Sequence, residues 1–363
     1  MSEKVLEIRN LKVVFPNERG IIRAVEGIDL SIEKGKCTAL VGESGCGKSV
    51  TSLAAMKLLE NSGAVIRCDK MELCGVDILP LSDKQMQEYR GSKISMVFQD
   101  ALSALNPVMT IGKQMDEIYI RHFHVKKKEA KARSIEALRL VGVPDAERRY
   151  RSYPHELSGG MRQRVLIAMA FACSPELIIA DEPTTALDVT IQAQVLDVLA
   201  DLQHTHNTAL LLITHDLSVV AHMADEICVM YCGKIVERAP AKELFQKPLH
   251  PYTKGLIASI AKMEDPKGAF VQIPDSLPNP MNKPQGCYFH PRCPEAAEKC
   301  RQSMPPMRAL ENGRELRCWR YDEKNVLHTA GLFDEGSREK SRAAGRPDGA
   351  GMSKENAGKG DGA

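Results

Sequence analysis

Apolar and polar residues alternate in short bursts over residues 3–36. Val5, Leu6 and Ile8 are followed by Leu11, Val13 and Val14, then by Ala24, Val25, Ile28, Leu30 and Ile32. Pro16, Gly20, Gly27 and Gly35 punctuate the pattern, which predicts antiparallel strands with one face buried. Three later runs do not alternate at all: residues 39–41, 177–180 and 210–213 are unbroken apolar stretches. Such runs suit strands buried on both faces of a parallel sheet. A fourth strand, residues 94–98, ends at Gln99. From about 100 to 160 the texture becomes charged and helix-forming, with Ile135, Leu138 and Val141 at helical spacing beside a lysine-rich run. That stretch predicts a helical insertion in an α/β core. Residues 226–236, with Gly233 inside, predict a closing hairpin, and helix-like segments follow from 240 to 262. A proline-rich stretch runs from Pro266 to Pro306. The tail from about 334 has almost no large apolar residue, and disorder is expected there.

Each buried strand ends in chemistry. The strand at 39–41 runs into Gly42-Glu43-Ser44-Gly45-Cys46-Gly47-Lys48-Ser49, and a helix-forming run from Val50 follows. The spacing fits a phosphate-binding loop. Its glycines let backbone N–H groups close around phosphate oxygens, and the helix N-terminus adds free donors. Lys48 would reach the β- and γ-phosphates, and Ser49 would hold Mg²⁺. The strand at 177–180 ends in Asp181 and Glu182. Asp181 suits Mg²⁺ coordination with Ser49, and Glu182 suits orienting or deprotonating a water. The strand at 210–213 leads to His215, placed to sense the γ-phosphate. Gln99 could bind Mg²⁺ or the water through its amide. Ligands in open parallel sheets bind beyond the carboxyl ends of the strands, so all four ends should converge on one phosphate. Leu157-Ser158-Gly159-Gly160 opens another helix with a good N-cap and exposed donors.

Composition narrows the class. The chain has 363 residues, 43% hydrophobic content and a net charge of +2. A core of two domains plus extensions is expected, and no polyanion or nucleic-acid partner. The polar opening Met1-Ser2-Glu3-Lys4 has no signal-peptide pattern. No apolar stretch approaches the roughly 20 residues of a membrane span. A soluble or peripheral protein is expected. Eleven cysteines are present, seven of them scattered like small buried hydrophobes. Cys287, Cys293, Cys300 and Cys318 cluster late, with five, six and seventeen residues between them and no C-x-x-C. Four thiolates suit tetrahedral zinc or a [4Fe–4S] cluster; unpaired thiols in a flexible extension are the plainer reading. His290 and Trp319 are expected to pack nearby.

Together these residues resemble the ATPase subunit of an ABC transporter over about residues 3–240. The matches are the loop at 42–49, Gln99, the signature at 157–160, Asp181-Glu182, Ala186-Leu187-Asp188 and His215, in the family's order. The resemblance implies a phosphate-loop ATPase core with an antiparallel β subdomain, a helical subdomain near 100–160, a cysteine-bearing extension at 241–325 and a tail at 326–363. It implies ATP and Mg²⁺ as cofactors. Phe15 would stack on adenine, and Gly42, Glu43, Ser44, Gly45, Cys46, Gly47, Lys48, Ser49 and Val50 would surround the phosphates. Ser158, Gly159, Gly160 and Asp188 would act on ATP held by a second, related ATPase subunit. Met161 stands where the general signature has Gln, as is usual in the peptide-permease branch.

Finer matches point to that branch, whose members serve oligopeptide, dipeptide and nickel uptake. They are Phe98-Gln99-Asp100, the run at 103–112, and His250-Pro251-Tyr252-Thr253-Lys254-Gly255-Leu256. The branch implies an importer with two transmembrane permease subunits and an extracytoplasmic solute-binding protein. This subunit would sit peripherally on the cytoplasmic face of the membrane. The cysteine motif in such ATPases favours iron–sulfur over zinc. Non-transport ABC ATPases carry long coiled coils between the phosphate loop and the signature, and the interval from Ser49 to Leu157 has no sustained heptads. Translation-type relatives carry two cassettes where this chain has one. The intact Lys48, Asp181, Glu182 and His215 argue against a regulatory subunit without catalysis.

Overall fold

The computed structural model describes residues 3–18, 20–60, 62–185, 187–261 and 276–321. The tail from 326, most of the start of the proline-rich stretch, and Ala186 lie outside the described residues. The strands Lys4–Asn17 and Gly20–Glu33 form a long antiparallel hairpin. Leu6 pairs with Ile32, Ile8 with Leu30 and Leu11 with Ile28, so the alternating apolar set turns to one side. Val65–Arg67, Lys70–Leu73 and Val76–Asp77 extend this sheet.

The second sheet holds the unbroken apolar runs. Across it lie Glu226–Tyr231, Cys37–Val41, Ala209–Thr214, Leu177–Asp181 and Ile94–Val97, all parallel. Lys234–Pro240 follows antiparallel to Glu226–Tyr231, as the expected hairpin, and Glu315–Leu316 and Arg308–Ala309 continue the sheet beyond it. Successive side chains leave a strand on opposite faces. Ala209, Leu211 and Ile213 therefore join one core, with the antiparallel hairpin and the helix Lys48–Ala55. Leu210 and Leu212 join another, with the helices Ile111–Phe123, Lys127–Leu140, Gly159–Phe171 and Val189–His206. This two-sided burial is why the runs lack polar alternation.

A third core lies beside the closing hairpin. Tyr231, Tyr252 and Phe289 are buried there, with ring centroids 4.7–5.4 Å apart. Glu237, fully buried on the strand Lys234–Pro240, accepts from the Leu249 and His250 backbone N–H groups and from Arg314, each at 2.9 Å. One carboxylate thus ties the segment before the helix Pro251–Ala261 to the late strands Arg308–Ala309 and Glu315–Leu316. The described residues through Cys318 group into one compact unit. Trp319–Tyr321, a single 3₁₀ turn, falls in a second.

Candidate functional site

The phosphate loop sits between the strand Cys37–Val41 and the helix Lys48–Ala55, as its spacing requires. Gly42 and Gly47 take φ values of +155° and +112°. A Cβ on Gly42 would lie 2.2 Å from the Met230 carbonyl oxygen, and one on Gly47 would lie 2.5 Å from that of Ala24. Only glycine lets the loop close this tightly. Cys46 is buried, and burial pushes its thiol up to about 11. Lys48 folds back over the loop, its Nζ donating to the carbonyls of Gly42 at 2.8 Å and Glu43 at 3.1 Å. An arriving phosphate can compete for that ammonium.

Ser49 Oγ donates to Asp181 Oδ1 at 3.1 Å. Burial pushes the Asp181 carboxyl above its ordinary value, the Ser49 hydrogen bond pulls it down, and the charge of Glu182 raises it again. Two hard oxygens this close fit a shared Mg²⁺. Glu182 follows at φ +46°, with its N–H on the Ile213 carbonyl at 2.8 Å. This turn carries its carboxylate off the strand. Glu182 Oε2 accepts from Gln99 Nε2 and from Thr185 Oγ1, each at 2.9 Å. Its Oε1 lies 3.1 Å from His215 Nδ1. The four strand ends therefore meet, with Glu182 at their centre. Thr185 was not foreseen; its spacing three residues past Glu182 on a turn was the available signal.

A cavity of about 480 Å³ opens beside these groups. Phe15, Ile22, Arg23 and Ala24 line its hairpin side, and Ser44, Gly45, Gly47, Lys48, Ser49 and Val50 line the loop side. Gln99 and Glu182 line it as well, as do Leu277, Pro278, Asn279, Pro280 and Lys283. A second cavity of about 330 Å³ touches Gly42, Glu43, Ser44, Glu182, His215 and Leu256. Ser158, Gly159, Gly160 and Asp188 line neither. Ser158 caps its helix, accepting from the Met161 N–H at 3.3 Å. A Cβ on Gly160 would lie 2.5 Å from Ile191, so the signature packs tightly on the helix after Asp188.

Comparison with known proteins agrees with this geometry. The ABC transporter family matches residues 25–185. The C-terminal region of oligopeptide/dipeptide transporters matches residues 236–300. The oligopeptide transport ATP-binding protein AppD of Bacillus subtilis is 49% identical over 322 residues, 89% of this chain and 98% of that protein. The chain belongs to the ABC transporter ATP-binding subunits of the oligopeptide/dipeptide branch. The dipeptide transport ATP-binding protein DppD of Escherichia coli is 44% identical, over 86% of this chain and 96% of its own length. The dimeric ATP-binding cassette MJ0796 bound to ADP and Pi superposes with a TM-score of 0.58 at 25% identity, over 65% of this chain and 98% of that one. Among the described residues no helix is long and apolar enough to cross a membrane.

The C-terminal region of this ABC subunit reaches the phosphate loop, which sequence reasoning missed. The Glu43 side chain turns away from Lys48 and pairs with Arg292, and its N–H donates to the Tyr252 hydroxyl at 2.9 Å. Cys287, Cys293, Cys300 and Cys318 are partly buried, and burial first, with the nearby Cys300 and Cys293 adding to it, pushes the Cys287 thiol up to about 11. No three Cys, His, Asp or Glu side chains among the described residues are grouped to hold a metal ion. His290 Nδ1 lies 2.9 Å from the Cys287 carbonyl oxygen.

Proposed function

We propose that this ABC ATPase powers peptide import, one of two ATPase subunits docked beneath two transmembrane permease subunits on the cytoplasmic face of the membrane. An extracytoplasmic binding protein would deliver the cargo. The observation that carries the catalytic part is Glu182, held on three sides by Gln99, Thr185 and His215 at the rim of the phosphate cavity. The cargo rests on relatives named for oligopeptide and dipeptide transport at 44–49% identity.

ATP would lie in the larger cavity with its base toward Phe15 and its phosphates on the loop at 42–49. Lys48 would leave its two carbonyl partners for the β- and γ-phosphates. Ser49 and Asp181 would hold Mg²⁺, which neutralises charge on the β- and γ-oxygens when bound. Glu182 would take the proton of the attacking water, and His215 would keep its carboxylate in line. Gln99 stands one residue before Asp100, the N-cap of the helix Ala101–Ala104, so a shift of Glu182 reaches the helical segment. Ser158, Gly160 and Asp188 would complete the site of the second ATPase subunit, a reading supported by the family match across the signature and by the dimeric cassette MJ0796.

The finer reading of the late cysteines, an iron–sulfur cluster or zinc, is supported by donor chemistry alone, and anaerobic purification with metal analysis tests it. Uptake of a labelled peptide tests the transport reading. Cells lacking this gene should lose uptake, regain it with the wild-type chain, and fail to regain it with Glu182→Gln. Uptake unaffected by the deletion would overturn the peptide assignment.

A further inference from the structure

Lys283 lines the larger cavity, where a cation would ordinarily be read as a phosphate ligand. Its hydrogen bonds argue otherwise. The ammonium has three donors. It donates to the Arg23 carbonyl at 2.6 Å, the Cys232 carbonyl at 2.7 Å and Glu26 Oε1 at 2.8 Å. All three donors are spent on the hairpin and the closing turn, and the side chain is 5% exposed. Tyr288 donates to the other Glu26 oxygen at 2.6 Å, fixing the carboxylate from the opposite side. Lys283 is a pin, and it fastens the segment that precedes it.

That segment, residues 277–280, faces the cavity. Leu277 packs against the same core as Phe15 and Ala24. Asn17, at the tip of the hairpin that carries Phe15, reaches Met281 Sδ at 3.9 Å. Two prolines, Pro278 and Pro280, stiffen the backbone between these anchors. Resting on the ATP reading above, we propose that residues 277–280 are the outer wall of the nucleotide pocket. They clasp the base and ribose against Phe15, and Lys283 positions them. ATP affinity would then depend on the C-terminal region of the same chain. The wall presents Leu277, Pro278 and Pro280 to the cavity, and Asn279 Oδ1 accepts from the Met281 N–H at 2.9 Å, tying the segment to itself. The phosphate half of the pocket is built from other residues entirely.

This division gives the test. The full chain, its Lys283→Met variant and a Pro278→Gly/Pro280→Gly variant are titrated calorimetrically with MgATP and with magnesium tripolyphosphate, which has phosphates and no base. Both variants should bind ATP about tenfold more weakly, the scale of losing one stacking face on a base. Both should bind tripolyphosphate as the wild type does. The proline variant leaves the Lys283 anchors intact, so misfolding of Lys283→Met would not decide the outcome. Unchanged ATP affinity in the proline variant overturns the wall. So does an equal loss for both ligands, which would mean that the segment acts through the phosphate loop. A wild-type chain that binds neither ligand would overturn the ATP reading itself, and the wall with it.

Discussion

Arg292 Nη1 and Nη2 lie 3.0 and 3.1 Å from the two carboxylate oxygens of Glu43, across 249 residues of sequence. Arg292 is buried and Glu43 sits in the phosphate loop, so the C-terminal region holds the loop by a two-pronged ion pair. Arg292 also lies over the Tyr231 ring, 5.8 Å from its centroid.

Breaking that pair should cost stability and nucleotide affinity together. Glu43 is 27% exposed, so water screens part of the loss. Arg292→Gln should lower unfolding free energy by about 1–3 kcal/mol and raise the KM for ATP several-fold. Arg292→Lys should recover only part of both, because an ammonium cannot span two carboxylate oxygens in a plane. Thermal unfolding and steady-state ATPase kinetics check this. A variant unchanged in both measurements would leave the pair without a role.

Glu182→Gln keeps the shape of the side chain and can still accept from Gln99 and Thr185. It cannot take a proton. MgATP binding should persist while turnover falls at least about a hundredfold, the scale of losing a general base. Turnover close to wild type would assign the base elsewhere.

Ser158 lines neither cavity of its own chain. Ser158→Arg should leave nucleotide binding by the isolated subunit intact and abolish hydrolysis in the assembled transporter. Loss of binding by the isolated subunit would place the signature in its own site.

Much of this was legible in the chain because local pattern and burial agree. The run at 210–213 is apolar throughout because Leu210 and Leu212 face one core while Leu211 and Ile213 face another. Asp181, Glu182, Gln99 and His215 were legible because a strand end fixes where the next residue points. The clasp of Arg292 on Glu43 and the pinning of Lys283 were not. Both partners lie hundreds of residues apart, and no periodicity records such a pairing. The strands Arg308–Ala309 and Glu315–Leu316 are two residues each, too short to carry an alternation.

Lys234 offers a test of the same pinned region through pH. Burial, reinforced by the nearby Arg317, Lys283 and Lys12 and opposed by Glu26, lowers its ammonium from the ordinary 10.5 to about 8. Its Nζ donates at 2.7 Å to the carbonyl of Glu26, the residue whose carboxylate holds Lys283. Below about 8 both the folded and unfolded chains carry the charge, and the folded state bears the cost of burying it. Between about 8 and 10.5 the unfolded chain binds more protons than the folded one, so this group makes stability rise with pH. Above that window both are neutral and its contribution is flat. Lys234→Met removes the titration but not the other ionisable groups. The difference in unfolding free energy, wild type minus variant, should therefore climb across pH 8 to 10.5. Denaturant unfolding at a series of pH values measures it. Parallel curves for the two proteins would mean that Lys234 titrates normally and that water reaches its ammonium.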